Sequence, residues 1–198
     1  MKVAIYGGTF NPIHKGHTGI AKAVCKAGLV DEVWLMVSPL NPLKRDQQTD
    51  LLPTDVRLHM ATLATAGIPR LKVSDFETRL PVPSYTYNTL QELQRAYPGH
   101  TFSLLVGEDN WERFDHWFKA AEILTEHDII VYGRNSTSGI VVHHGDGTSE
   151  TYAQPLRYDI SSTEIRKALS AGQLDVPRRW LHPAVYRYVR QQFHYCAH

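Results

Sequence analysis

The stretch Gly7–His17, GGTFNPIHKGH, decides how this chain is read. It begins where the apolar run Val3-Ala4-Ile5-Tyr6 stops, and it ends where a helical pattern starts with Ile20, Val24 and Ala27 at i, i+4 and i+7. A short strand, a glycine pair and a helix start form the layout of a phosphate-binding first turn. Glycine lets the backbone approach an anion, and the helix start adds unpaired N–H groups and the positive end of its dipole. Neither GxGxxG nor GxxxxGK[ST] is present. Instead His14 and His17 flank Lys15 and Gly16, and with Thr9 they crowd donors onto one turn. Gly16 keeps the corner between the imidazoles clear of a side chain, as a phosphate met by both rings during a reaction would require. An isolated histidine pair would ordinarily cap or pack. This pair sits on a glycine turn after the first strand, and that favours chemistry.

Outward from this turn, strand-like and helical patterns alternate. Lys2–Tyr6 and Glu32–Ser38 read as strands, with the Ile20–Ala27 helix between them. A helix follows Thr54, read as its N-cap, with Val56, Met60 and Leu63 on one face and Gly67 as the stop. Leu71–Ser74 is a third strand, Tyr85–Tyr97 a helix starting after Ser84 as cap and closed by Pro98-Gly99, and Phe102–Val106 and Ile129–Tyr132 are buried strands. Ile140–His144 and Thr148–Tyr152, joined by Gly145-Asp146-Gly147, read as a small peripheral hairpin. A last helix over Pro183–Phe193 places Val185, Tyr188 and Val189 on one packing face. The alternation predicts an α/β fold with a doubly wound parallel sheet, formed by residues 1–198 as a single domain, with ligands at the carboxyl ends of the strands.

Size and composition agree. The chain has 198 residues, 42% hydrophobic and 21% charged, enough for a full core. A net charge of +1 gives no reason to expect a nucleic-acid or membrane surface, whereas a binder of small phosphate esters needs only local positive charge. The two cysteines, Cys25 and Cys196, form no CxxC and read as free thiols of a reducing compartment. The start MKVAIYGG has no apolar leader, and a cytoplasmic setting is expected. His143-His144 have no carboxylate or cysteine at metal spacing, and His194-Tyr195-Cys196-Ala197-His198, which could chelate a metal if ordered, reads as a frayed tail, so no structural zinc is expected.

A second signal lies far downstream, at Ile160-Ser161-Ser162-Thr163-Glu164-Ile165-Arg166. Locally it is a capping box, with Ser161 as N-cap and Glu164 at N3. The capped start, its hydroxyls and Arg166 one turn in also make a second anion site.

Together these two segments resemble the (G)GTFDPIHxGH and ISSTxIR signatures of the HxGH nucleotidyltransferase superfamily, whose members transfer an adenylyl or cytidylyl group from a nucleoside triphosphate. Asn11 stands where Asp is common. Weaker cues between them are similar to those of the bacterial nicotinate mononucleotide adenylyltransferases. Asn41-Pro42-Leu43-Lys44 lies where many carry PPHK, with Leu43 in place of the histidine and the lysine kept. Ser84-Tyr85-Thr86-Tyr87-Asn88-Thr89-Leu90 resembles SYTxxTL, and Gly107-Glu108-Asp109 resembles GxD.

The resemblance implies a Rossmann-like nucleotidyltransferase fold with a small C-terminal helical segment, joining ATP and nicotinate mononucleotide into deamido-NAD with release of pyrophosphate. His14, His17, Lys44 and Arg166 would then be catalytic. Gly8, Thr9, Phe10, Gly107, Asp109, Ile160, Ser161 and Ser162 would bind ATP. Asn41, Tyr85, Thr86, Trp117 and Arg134 would serve the acceptor, with Trp117 stacked on the pyridine ring while Trp111 and Phe114 fill the core. Mg²⁺ would be held mainly by the phosphates, since no Asp/Glu cluster marks a protein metal site. Nucleic acid and membrane are not expected as partners, and a homo-oligomer is compatible with the sequence. The rival readings are phosphopantetheine adenylyltransferase, whose members usually show TxGH, and a non-catalytic nucleotide sensor on the same fold.

Overall fold

Runs of aliphatic and β-branched residues become the strands, and the amphipathic stretches between them become the covering helices. A computed structural model describes residues 1–39, 51–81, 83–133, 139–152 and 158–192. Its strands are β1 (Lys2–Gly8), β2 (Glu32–Val37), β3 (Leu71–Ser74), β4 (Thr101–Gly107), β5 (Ile129–Tyr132), β6 (Ile140–His143) and β7 (Ser149–Tyr152). Its helices are α1 (Lys15–Lys26), α2 (Thr54–Thr65), α3 (Thr86–Ala96), α4 (Glu108–Trp111), α5 (Ala120–Glu126), α6 (Ser162–Ser170), α7 (Asp175–Trp180) and α8 (Pro183–Gln192).

The strands form one seven-stranded sheet in the order β3-β2-β1-β4-β5-β6-β7, with β1 to β5 parallel. Strand order reverses between β1 and β4, so the connections that follow these two strands lead to opposite faces of the sheet and open a crevice beyond Gly8 and Gly107. Side-chain alternation along β1 divides the core. Ala4 and Tyr6 join α1, α2, α6 and α8 on one face, while Val3 and Ile5 join Leu90 and Leu93 of α3 and Ile123 of α5 on the other.

The expected strands all form. The hairpin is less peripheral than its glycine turn suggests. β6 pairs antiparallel with β5, extends the main sheet and buries Ile140 and Val142. Two predicted caps are corrected. Thr54 is the first residue of α2 behind Pro53, and its hydroxyl accepts a hydrogen bond from Arg57 instead of capping. α3 has Tyr85 as N-cap, and Ser84 is buried against the Glu77 carboxyl. The face of α2 also turns. Met60 is buried as expected, but Arg57, Ala61 and Ala64 share the core with it, while Val56 and Leu63 lie at its margin. α1 starts earlier than Ile20, at Lys15, so His17 lies in its first turn. α8 packs through buried Val185 and Val189, and Tyr188 lies against His59 of α2. Among the described residues no helix is long and apolar enough to cross a membrane.

Candidate active site

The first turn is held by an unusual cap. His14, in extended backbone conformation, is the N-cap of α1, and its own N–H donates to His17 Nδ1 at 3.2 Å. The two imidazoles form a reciprocal capping box, each ring meeting the other residue's backbone, with ring centroids 3.7 Å apart. Because His17 Nδ1 accepts from the backbone, a neutral His17 carries its proton on Nε2 and is a donor on its outer edge. Phe10 supports that ring edge-on at 5.0 Å, and Phe10 itself adopts φ 47°, a conformation costly for a non-glycine residue and retained where packing over-determines it.

Gly16 matters for a different reason than the sequence suggests. A Cβ there would lie 2.9 Å from the His14 ring and 3.2 Å from Tyr158 Cβ. The missing side chain makes room for the imidazole and for the returning chain. Lys15 also departs from expectation, because its Nζ donates 2.6 Å to the Arg179 carbonyl on α7 and does not crowd the turn.

The distant hydroxyl-rich helix start docks directly on this turn. Ser161 caps α6 by accepting from the Glu164 N–H, and Glu164 returns a bond to the Ser161 N–H at 2.7 Å. Ser162 Oγ donates to the Pro12 carbonyl at 3.0 Å, and Arg166 Nη1 donates to the Asn11 carbonyl at 2.7 Å. Residues separated by some 150 positions in the chain thus form one wall. Ile160 is buried beneath it. Asn11 Oδ1 accepts from the Leu52 N–H at 3.3 Å, an acceptor role that Asp would fill equally well.

Across the switch point lies a cavity of about 160 Å³, lined by Gly7 and Gly8 of β1, Ser38, Glu77, Ser84, Tyr85, Thr86, Thr89, Gly107, Asn110, His116, Trp117 and Phe118. Its location follows from topology, since these residues come from the carboxyl ends of β1, β2 and β4 and from the start of α3. A Cβ on Gly107 would lie 2.5 Å from Asp109 Oδ1, the end of an exposed side chain that can swing aside, and 3.3 Å from the Tyr132 ring. Tyr85 makes no side-chain cap and no other described side chain caps α3, which leaves its first-turn N–H groups at the cavity wall. The Trp117 indole N–H is buried with no acceptor among the described residues, and Phe114 is core. Trp111 and Trp117 are both half-buried against it, Trp111 stacked on Phe114 at 5.1 Å and on His143 at 4.3 Å, Trp117 tilted on Phe114 at 5.5 Å.

The sequence-predicted residues therefore separate into two neighbouring groups. Gly8, Thr9, Phe10, His14, His17, Ile160, Ser161, Ser162 and Arg166 gather at the turn, and Tyr85, Thr86, Trp117 and Gly107 line the cavity. Asp109 sits exposed on α4 directly after Gly107. Asn41, Lys44 and Arg134 lie outside the described residues.

Two functional-looking residues were not singled out from sequence. Arg57, on α2, is fully buried and donates through every one of its N–H groups: to the carbonyls of Leu52, Thr9, Ser38 and Pro39 and to Thr54 Oγ1. No carboxylate among the described residues pairs with it, and burial pulls its guanidinium below the ordinary arginine range. Glu77 is 7% exposed, accepts from Ser38 Oγ at 2.5 Å and from Thr89 Oγ1 at 3.5 Å, and has its carboxyl pushed up by burial against these hydroxyl bonds. Ser84 also acts on that carboxyl, although not in hydrogen-bond geometry.

The cytidylyltransferase-like family matches residues 5–168. A Bacteroides fragilis relative designated a probable nicotinate-nucleotide adenylyltransferase is 45% identical over 192 residues, covering 96% of this chain and 92% of the relative. The chain belongs to this family of nicotinate-nucleotide adenylyltransferases. A Flavobacterium johnsoniae member with the same designation is 40% identical over 189 residues, covering 96% of each chain. Among solved structures, the Plasmodium falciparum nicotinic acid mononucleotide adenylyltransferase complexed with NaAD superposes with a TM-score of 0.75 at 19% identity, covering 98% of this chain and 97% of that one. That likeness establishes the shared fold.

Proposed function

We propose that this member of the family joins ATP and nicotinate mononucleotide into nicotinate adenine dinucleotide and pyrophosphate, as a step of NAD biosynthesis. The observation that carries the reading is the docking of the Ser161–Arg166 helix start onto the His14–His17 turn, beside a cavity walled by Trp117 and the uncapped start of α3. An oxygen of the mononucleotide phosphate attacks the α-phosphorus of ATP in line. A new P–O bond forms, the bond to the β-phosphate oxygen breaks, and pyrophosphate carries away the electron pair. The attacking oxygen is already anionic, so no general base is required, and the protein supplies alignment and charge stabilisation.

In this reading His17 Nε2 and the His14 ring face the α- and β-phosphates, and Arg166 with the Ser161 and Ser162 hydroxyls holds the tail. The backbone of Gly8, Thr9 and Phe10, with Ile160, frames the triphosphate, and Gly107 and Asp109 serve the adenosine. Lys44 and Asn41, after β2, help bring the two anions together, and Arg134 serves an acceptor phosphate. The first turn of α3 at Tyr85 and Thr86 receives the pyridine carboxylate on its N–H groups, as helix starts receive anions, and Trp117 covers the ring. Mg²⁺ would be held mainly by the phosphates of ATP. When bound it supplies neutralisation of phosphate charge. The setting is cytoplasmic.

The test is competition: ATP and Mg²⁺ with equal nicotinate and nicotinamide mononucleotides, products resolved by chromatography. The acid dinucleotide should dominate. Turnover of phosphopantetheine in place of both would refute the assignment, as would ATP binding without pyrophosphate release.

A further inference from the structure

The cavity wall contains a feature the reaction scheme leaves unused: the buried carboxyl of Glu77. A carboxyl with no cationic partner among the described residues is costly to bury, and an apolar side chain would line an aromatic-ring pocket at less cost. Its partners indicate what it does there. Ser38 stands just beyond β2, and Thr89 lies in the first turns of α3. Glu77 itself comes from the short 3₁₀ turn Phe76–Arg79 that links β3 to α3. The short bond is to Ser38 Oγ, while Thr89 Oγ1 stands at 3.5 Å and shares its proton with the Tyr85 carbonyl at 3.3 Å. The carboxyl is therefore tied to the end of β2 and lies against the start of α3, and Ser38, Glu77 and Thr89 all line the cavity.

Ser38 is the node of this arrangement. Its carbonyl accepts from Arg57 Nη1 at 2.8 Å, and the same guanidinium nitrogen donates to the Thr9 carbonyl of the histidine turn at 2.8 Å. Its hydroxyl donates to Glu77 at 2.5 Å. The backbone of Ser38 thus faces the triphosphate side and its side chain faces the acceptor side. A substitution at the hydroxyl severs one link and leaves the other in place.

We propose that Glu77, held through Ser38 Oγ, is a positioning residue for the acceptor, fixing the start of α3 against the end of β2 so that the cavity has the width of a pyridine ring. The proposal rests on the acceptor reading given above. It concerns hydrogen-bond geometry at a wall, so it predicts a selective effect. Ser38→Ala and Glu77→Ala should each raise KM for nicotinate mononucleotide about tenfold, the scale of one lost buried hydrogen bond, with KM for ATP within about twofold of wild type. Glu77→Gln keeps an oxygen that can accept from Ser38 and should recover most of the loss.

The experiment is steady-state pyrophosphate release with each substrate varied in turn, on wild type and the three variants, with thermal melts alongside. Ser38→Ala is the control against a folding defect in Glu77→Ala, because it removes only one oxygen. Equal rises in both KM values, a fall in kcat alone, or an unchanged acceptor KM in Ser38→Ala would overturn the proposal. Glu77→Gln as impaired as Glu77→Ala would also overturn it, since hydrogen-bond geometry would then not be the cause. Wild type inert toward nicotinate mononucleotide would instead refute the acceptor reading, and this proposal with it.

Discussion

Replacing Arg57 with methionine removes a cation but leaves five acceptors facing the vacated space: the carbonyls of Leu52, Thr9, Ser38 and Pro39, and Thr54 Oγ1. Four of these bonds are 2.8–2.9 Å and the fifth is 3.3 Å. At about 1.5–3 kcal/mol for a hydrogen bond to a charged donor, their simple sum would rival the whole stability of a typical domain. Two effects reduce it. The guanidinium's own desolvation disappears with it, and loop carbonyls at Thr9, Ser38 and Pro39 can turn toward water. A buried acceptor left without a donor costs about 1–3 kcal/mol, and with the loop carbonyls relieved by water a net loss of about 3–5 kcal/mol is the expectation here. For a chain of this size about 2–4 °C is lost per kcal/mol, so Arg57→Met should melt about 10 °C below wild type. Arg57→Lys keeps the charge with three N–H groups for five acceptors, and it should fall between the two. Circular dichroism melts at fixed pH, with pyrophosphate release assayed well below the lower melting point, provide the test. Turnover should drop as well, because the histidine turn and the end of β2 lose their common anchor. A methionine variant melting within about 2 °C of wild type would refute the reasoning, since the five bonds would then add nothing net.

Other outcomes follow from the same geometry. His17→Ala should lower kcat by about 10²-fold or more, the cost of losing one donor aimed at developing charge, and near-normal single-turnover rates would remove the ring from the mechanism. Trp117→Ala should raise KM for the mononucleotide more than KM for ATP, whereas an equal effect on both would make Trp117 core. Glu77 supplies a pH dependence. Its folded-state pKa is raised, so the folded chain holds that proton more tightly than the unfolded chain does, and this stabilisation is complete at low pH and lost as pH rises through the folded value. Urea midpoints of wild type and Glu77→Gln should therefore converge below the ordinary glutamate range, about pH 4.3, and separate in favour of the glutamine variant above the raised value. A gap independent of pH would contradict the assigned burial effect.

Much of this architecture was legible in the sequence because its signals are local. Strand runs, Gly-Gly before an amphipathic helix, and the Ser161–Glu164 capping box each depend on a few neighbouring residues, and all of them form. What escaped notice depends on partners far away. Arg57 occupies one helical position next to Val56, and nothing local distinguishes a solvated arginine from one whose acceptors come from loops around positions 9, 38 and 52. Glu77 sits in a short polar turn that reads as surface until Ser38 and Thr89 close over it. The Ser84 and Thr54 caps were misplaced for the same reason, since each side chain lies against a buried charged group and does not cap its helix start. Gly16 was correctly judged to need empty space, but the occupant is His14 itself with Tyr158.

The tie between Ser162 and Pro12, and that between Arg166 and Asn11, also sets an order of events during synthesis. While the ribosome is still making the middle of the chain, the β1 turn has no opposing wall, and the proposed triphosphate site is only half built. That wall arrives late, when the segment after Ile160 clears the exit tunnel and meets residues made 150 positions earlier. A truncated product would also lack Ile165, Leu169, Val185 and Val189, so on the proposed reading it loses part of its core together with half of its nucleotide site.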